Sequence, residues 1–108
     1  MVVEVAIFDI VPGQEDDFAA AYEQGHHVLA STPGCHGVRM TRGIETPTRF
    51  ILIVEWDSVQ AHTQNFRESE RFGVWRGLIG PYFATPPLME HFIDVTAGAP
   101  VEEASLGH

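Results

Sequence analysis

Residues 49 to 57, which read RFILIVEWD, constrain the fold more than any other segment of the chain. Their density of β-branched and aromatic residues predicts a β-strand. One side of that strand would carry four apolar side chains, those of Phe50, Leu52, Val54 and Trp56. The other side would carry Ile51 and Ile53, because successive side chains of a strand point to opposite faces. A strand that is apolar on both sides needs cover on both faces of its sheet.

The other segments predict three more strands and two helices. The strands are expected at residues 2 to 11, 37 to 43 and 88 to 95. Acidic residues at 15 to 17, followed by helical apolar spacing from Phe18 to Leu29, predict an amphipathic helix. Two short helical stretches follow the third strand, with Ser58 and Ser69 as N-caps. The order β-α-β-β-α-β, with a split second helix and an antiparallel sheet, predicts a ferredoxin-like α+β fold.

The two helices of such a fold cover only one face of the sheet. The second face would be a large exposed apolar patch, which calls for a partner. A loop folded over that face is the alternative, but the chain has no spare loop of that size. We therefore expect a homodimer that packs sheet against sheet as a dimeric α+β barrel. The single domain is expected to span residues 1 to 96, and the small and polar residues 97 to 108 predict a flexible tail.

The charge balance excludes several partners. Fifteen acidic residues face six basic ones, all arginine, which gives a net charge of -9. Such a chain would be repelled by nucleic acid and by anionic membrane surfaces. No apolar run is long enough to span a membrane, and the N-terminal segment lacks the basic region of a signal peptide. With Cys35 as the single cysteine, a cytoplasmic location is the simplest expectation.

Candidate site residues cluster around the split helix. His62 and the aromatic residues Phe66, Phe72 and Trp75 fall on its inward side, and His91 lies in the last strand. These side chains could simply form the core, or they could line an aromatic pocket with a titratable group at its edge. No phosphate-binding loop or serine-hydrolase motif is present, and no histidines have the spacing of metal ligands, so we expect no metal site.

Several short segments together resemble the antibiotic biosynthesis monooxygenase family of dimeric α+β barrels. They are PGQEDDF at 12–18, PGCHG at 33–37, FIL at 50–52, EWDS at 55–58, AH at 61–62, FGVW at 72–75 and EHF at 90–92. The resemblance covers residues 2 to 95. Haem-degrading members of the family use a histidine late in the split helix, where this chain has Trp75 and Arg76. The oxygenase branch is therefore the closer resemblance.

That resemblance implies oxidation of a phenol, quinol or anthrone by O₂ without a cofactor. The substrate would lose a proton, react with O₂ and form a quinone with loss of water. The implied roles are a proton acceptor, His62 or second His91, and donors to the developing oxyanion, Trp75, Arg39 or Arg76. Phe66 and Phe72 would line the pocket, with Tyr82 at its mouth. Two other functions stay open, a non-catalytic carrier or sensor of a small hydrophobic molecule and a polyketide cyclase.

Overall fold

The computed structural model describes residues 1–95, so the tail expected from residue 97 and the last residue of the expected domain lie outside the described residues. Its elements are β1 (Val2–Asp9), α1 (Glu15–Ala30), β2 (Cys35–Arg42), β3 (Arg49–Trp56), a π-helix (Ala61–Arg67), α2 (Glu70–Ile79), a 3-10 turn (Gly80–Tyr82) and β4 (Leu88–Phe92). The four strands form one antiparallel sheet in the order β2-β3-β1-β4. The ferredoxin-like α+β fold with a split second helix is thereby confirmed.

The core lies between the sheet and the helices. The four apolar residues on one side of β3 are each at most 3% exposed, and they cluster with helix residues such as Phe18, Leu29 and Ile79. The neighbouring inward positions of β1 are Glu4, Ala6 and Phe8, all buried. The helices therefore cover one face of the sheet.

The opposite face of the sheet is uncovered in a single chain. Its middle is formed by half-buried apolar residues of the two central strands: Val3, Val5, Ile7, Ile51 and Ile53. At its β4 edge Leu88 is 70% exposed and Phe92 is 47% exposed. This is the apolar second face that the sequence of β3 predicts.

Strand ends differ from the predicted ones by a few residues. β1 ends at Asp9, and Ile10 makes only an isolated bridge to Phe83. β2 begins at Cys35 and carries an irregularity in its pairing between Cys35 and Gly37. β4 ends at Phe92 rather than at residue 95. Phe92 pairs with Val3, and β1 begins at Val2, so β1 has only one residue beyond Val3 to pair with.

The first half of the split helix is a π-helix rather than an α-helix. The N–H of Glu68 donates to the carbonyl of Thr63 at 3.1 Å, five residues earlier in the chain. Residues five apart therefore fall on the same side of this segment. Both predicted caps are confirmed. Ser58 Oγ accepts the N–H of Ala61 at the start of the first helical segment, and Ser69 Oγ accepts the N–H of Arg71 at the start of α2.

Candidate functional site

A cavity of about 280 Å³ lies between the inward face of the sheet and the split helix. Nine of its fourteen lining residues are apolar, with rings from Phe8, Phe72 and Phe83 and aliphatic side chains around them. The exceptions are Glu4, His62, Arg67, Trp75 and Arg76. A cavity in which apolar residues predominate in number and a few polar groups converge is typical of a small-molecule site.

Glu4 is a carboxyl group buried in the wall of this cavity. It is 5% exposed because it alternates with Val3 and Val5 along β1 and therefore points toward the helices. The indole N–H of Trp56 donates to its Oε1 at 2.9 Å. Burial raises the pKa of Glu4, and the Trp56 hydrogen bond and the positive charge of Arg67 oppose that rise.

His62 contacts Glu4 and stacks on its hydrogen-bond partner. His62 Nε2 lies 3.4 Å from Glu4 Oε1, and the His62 ring lies against the Trp56 indole with 5.2 Å between centroids. Burial lowers the pKa of His62 to about 4, with smaller effects from His91 and Arg67. Because burial keeps the imidazole neutral near pH 7, the Glu4–His62 contact at 3.4 Å is a close polar contact rather than a salt bridge.

His91 extends this chain of contacts to the edge of the sheet. Its Nε2 lies 2.8 Å from Nδ1 of His62. His91 is half-buried and pairs with Glu4 across β4 and β1, at the edge strand. Polar groups in close contact therefore run from Trp56 through Glu4 and His62 to His91, with hydrogen bonds at the two ends and a 3.4 Å contact in the middle.

One oxygen of Glu4 is left open to the cavity. Both contacts, from Trp56 and from His62, go to Oε1. Within residues 1–95, Oε2 has no hydrogen-bond partner. Every fully buried polar side-chain atom in that range does have one, so Oε2 is accessible, and the cavity is the space that Glu4 lines. Both ring nitrogens of His62 are already engaged. Of this group, the proton-accepting atom that is free and faces the cavity is therefore Glu4 Oε2.

Two arginines stand at the mouth of the cavity around one ring. The guanidinium carbons of Arg67 and Arg76 lie 5.3 Å and 5.8 Å from the centroid of Phe72. Arg76 also lies 6.0 Å from the centroid of Phe83. Contacts of this kind hold a cation over an aromatic face. Arg67 reaches the cavity because it lies five residues after His62 in the π-helix.

The structure brings most of the site residues predicted from the sequence together. His62, Phe72, Trp75 and Arg76 line the cavity. His91 contacts His62 from behind the wall, and Phe66 packs on His62 with 6.1 Å between ring centroids.

Two predicted residues lie elsewhere. Arg39 pairs with Ile53 on the uncovered face of the sheet, across from the cavity, because Val38 and Met40 on either side of it point inward. Tyr82 packs edge-on to Phe18 at 6.3 Å between ring centroids, and its neighbour Phe83 lines the cavity instead.

The sequence interpretation missed Glu4, Trp56 as its donor, Arg67 and Phe83. The alternation of β1 held a signal for Glu4, because that residue shares the face of Ala6 and Phe8. No comparable signal marked Arg67, because α-helical spacing turns it away from His62.

Two further geometric findings concern the part of the chain that the structure describes. No three histidine, cysteine or acidic side chains in it converge as metal ligands do. None of its helices has the length and apolar character that crossing a bilayer requires.

Comparison with known proteins identifies the family. Residues 1–78 match the antibiotic biosynthesis monooxygenase family, and the chain belongs to that family. An uncharacterized protein of Bacillus subtilis, YczJ, is 30% identical over 95 residues, which is 88% of this chain and all of the relative.

Solved structures agree with this assignment. The chain is similar to a putative antibiotic biosynthesis monooxygenase of Bordetella bronchiseptica, with a TM-score of 0.85 and 40% identity over 88% of this chain and 97% of that one. A monooxygenase of Streptomyces coelicolor in complex with nanaomycin D has a TM-score of 0.77 and 20% identity over 92% of this chain and 91% of that one. At that identity the likeness shows the fold alone.

Proposed function

We propose that the protein is a cofactor-independent monooxygenase that oxidises a small, electron-rich phenol, quinol or anthrone with O₂. The observation that carries this proposal is the buried group Glu4–His62–His91, which opens through Glu4 into an aromatic cavity. Membership of the antibiotic biosynthesis monooxygenase family supports the reaction class. Overall the substrate loses two hydrogen atoms and gains one oxygen atom, and the second oxygen atom leaves as water. An anthrone loses both hydrogens from its methylene carbon. In a phenol or hydroquinone, oxygen is added at a ring C–H position and hydroxyl hydrogen is lost as the quinone forms.

The first step is removal of a proton from the substrate. Glu4 Oε2 accepts it, because that atom is open to the cavity and burial brings the pKa of Glu4 upward, toward the range of an effective general base. Rotation of the carboxyl group then brings the proton to the side of Glu4 that lies 3.4 Å from His62 Nε2, and His62 releases a proton from Nδ1 to His91 across 2.8 Å. Glu4 and His62 thus form the proton acceptor together: Glu4 takes the proton from the substrate, and His62 takes it from Glu4.

The anion left by this step needs donors and a dry site. The indole N–H of Trp75 has no hydrogen-bond partner within residues 1–95, and Trp75 lines the cavity beside Arg76. Both supply donors to the developing oxyanion. Phe72 and Phe83 flank the substrate ring and exclude water.

Cavity size limits the substrate. A cavity of roughly 150 Å³ is enough to bind benzene. The 280 Å³ found here therefore suits one or two fused rings, and a three-ring anthrone would extend out of the mouth. We expect two-ring hydroquinones to be better substrates than anthrones.

The deciding experiment measures oxygen uptake with a panel of naphthohydroquinones and anthrones. Turnover by the wild type that persists with a metal chelator and falls in both Glu4→Gln and His62→Gln supports the proposal. His27→Gln, an exposed histidine of α1, is the matched control and should keep full activity. Saturable binding without turnover would instead indicate a carrier, and a ring-closed product formed under nitrogen would indicate a cyclase.

The functional unit in this proposal is a cytoplasmic homodimer. A second copy covers the apolar outer face of the sheet, where Leu88 is 70% exposed and Phe92 is 47% exposed. Sedimentation equilibrium tests the assembly with Ile53→Glu, on that face, against Ile44→Glu, which is 88% exposed in a turn. We expect the first variant to be monomeric and the second to remain a dimer. A wild-type monomer would contradict the assembly.

A further inference from the structure

Arg67 and Arg76 are cations without an anionic partner in a strongly acidic protein. Within residues 1–95, neither has a carboxylate oxygen within 4.0 Å, although the chain contains fifteen acidic residues. Arg42 and Arg49 pair with acidic side chains, and Arg71 binds Ser31 and a backbone carbonyl. That leaves Arg39, Arg67 and Arg76 with a free guanidinium within residues 1–95. Arg39 lies on the opposite face of the sheet, and Arg67 and Arg76 both line the cavity.

The charge inside the cavity is also not balanced. Glu4 is the single carboxyl group among the lining residues, and its Oε1 is occupied by Trp56 and His62. Two guanidinium groups against one carboxyl leave at least one positive charge uncompensated there. A cleft with a net positive charge concentrates ligands of the opposite sign.

The arginines are also held in place for a ligand. Both lie over the Phe72 ring, at 5.3 Å and 5.8 Å, and their side chains are exposed at the mouth rather than buried in the core. A guanidinium group on an aromatic face keeps its planar fork of N–H donors, which matches a carboxylate in two-point contact.

We propose that the cavity takes an aromatic carboxylate, with the ring between Phe72 and Phe83 and the carboxylate bound by Arg67 and Arg76 at the mouth. This inference rests on the proposed function in treating the cavity as the substrate site, and it names the substrate class as an aromatic acid. The carboxylate is a permanent charge of the substrate, separate from the oxyanion that develops during oxidation.

Isothermal titration calorimetry with two probes tests the proposal in the wild-type protein. The probes are 2-naphthoate and its neutral isostere 2-naphthamide, which differ only in the charge of one group. We expect 2-naphthoate to bind at least about tenfold more tightly at neutral pH, with an advantage that shrinks as salt is added. Equal binding of the two probes would overturn the proposal without any variant.

A set of arginine variants then locates the binding group. Arg67→Gln and Arg76→Gln should each lose most of the preference for the acid, and both sites are exposed, so folding is retained. Arg42→Gln is the matched control, since Arg42 lies over the Phe50 ring at 5.5 Å and away from this cavity. A preference that survives in both cavity variants, or that falls equally in the control, would overturn the assignment.

The outcome is separable from that of the proposed function. Tight binding of 2-naphthoate with no oxygen uptake from any hydroquinone would uphold the anion site and contradict the oxygenase. Oxidation of neutral and acidic hydroquinones with equal kcat/KM, together with equal binding of the probes, would uphold the oxygenase and contradict the anion site.

Discussion

His62 Nδ1 lies 2.8 Å from His91 Nε2, although the two histidines are 29 positions apart in the chain. The contact joins the π-helix to the edge strand β4 and gives the buried imidazole a path for protons toward solvent. Since the pKa of His62 is lowered to about 4, His62 holds a proton only briefly at neutral pH. A proton that it receives is therefore passed on rather than stored.

We expect His91→Gln to lower the rate of oxygen uptake by about tenfold. This is less than the roughly 10²- to 10⁴-fold of a group that exchanges a proton with the substrate itself, because His91 only passes the proton on. The amide can still hydrogen-bond to His62 but cannot carry a proton. Added imidazole buffer should restore part of the rate in this variant and leave the wild type unchanged. His27→Gln serves as the control, and a variant with full activity in weak buffer would contradict the relay.

Glu4→Gln should separate activity from stability. The amide oxygen can still accept the Trp56 N–H, and the change removes a buried ionisable group, so the free energy of unfolding should stay equal or rise. Oxygen uptake should fall by about 100-fold, because the proton acceptor is lost. Urea unfolding and oxygen uptake measure the two effects, with the exposed Glu23→Gln as control. Parallel losses of both would point to a structural role alone.

The stability of the fold should depend on pH through His62. Its pKa falls from 6.5 to about 4 on folding, so the unfolded chain takes up the proton first as the pH decreases. Stability is therefore lost as the pH falls from 6.5 toward 4, by about 2.5 kcal/mol at pH 4.5. His62→Gln removes this contribution but keeps that of Glu4. Urea unfolding of both proteins should show their difference in stability shrinking over this pH range, and a constant difference would contradict the burial effect.

Two glycines with the same positive φ offer a matched pair of substitutions. Gly13 and Gly34 both have a φ of 92°, which disfavours any residue with a Cβ. A Cβ at Gly13 has open space, whereas one at Gly34 would lie 2.7 Å from the Cβ of Ala61, just before His62.

Gly13→Ala should cost about 1 kcal/mol, from the backbone alone. Gly34→Ala should cost at least about 1 kcal/mol more, from the clash with Ala61. Thermal unfolding compares the two variants. Equal losses would show that the turn at Gly34 shifts away from Ala61 without cost and so accommodates the added Cβ.

The fold is readable from the sequence because β3 and β1 alternate regularly. Their inward side chains are buried and their outward ones form the uncovered face, as the pattern of residues predicts. The same alternation also explains Arg39: its neighbours Val38 and Met40 point inward, so Arg39 points away from the cavity.

The site is readable only in part. His62 and Trp75 could be predicted because they lie on apolar helical faces. Arg67 could not, because its position depends on a π-helix, and no residue type at 61 to 67 distinguishes a spacing of five from one of four. Phe83 lines the cavity where Tyr82 was predicted to. The sequence could not distinguish the two, because a loop has no periodicity from which the direction of its side chains follows.

The positions of the two tryptophans give this protein two separate optical reporters. Trp56 touches Glu4 and stacks on His62, so its emission should follow the protonation of that buried pair. Trp75 lines the cavity, so its emission should change when a molecule enters. Replacing one indole at a time with phenylalanine would let proton movement and ligand arrival be timed independently, with no attached dye.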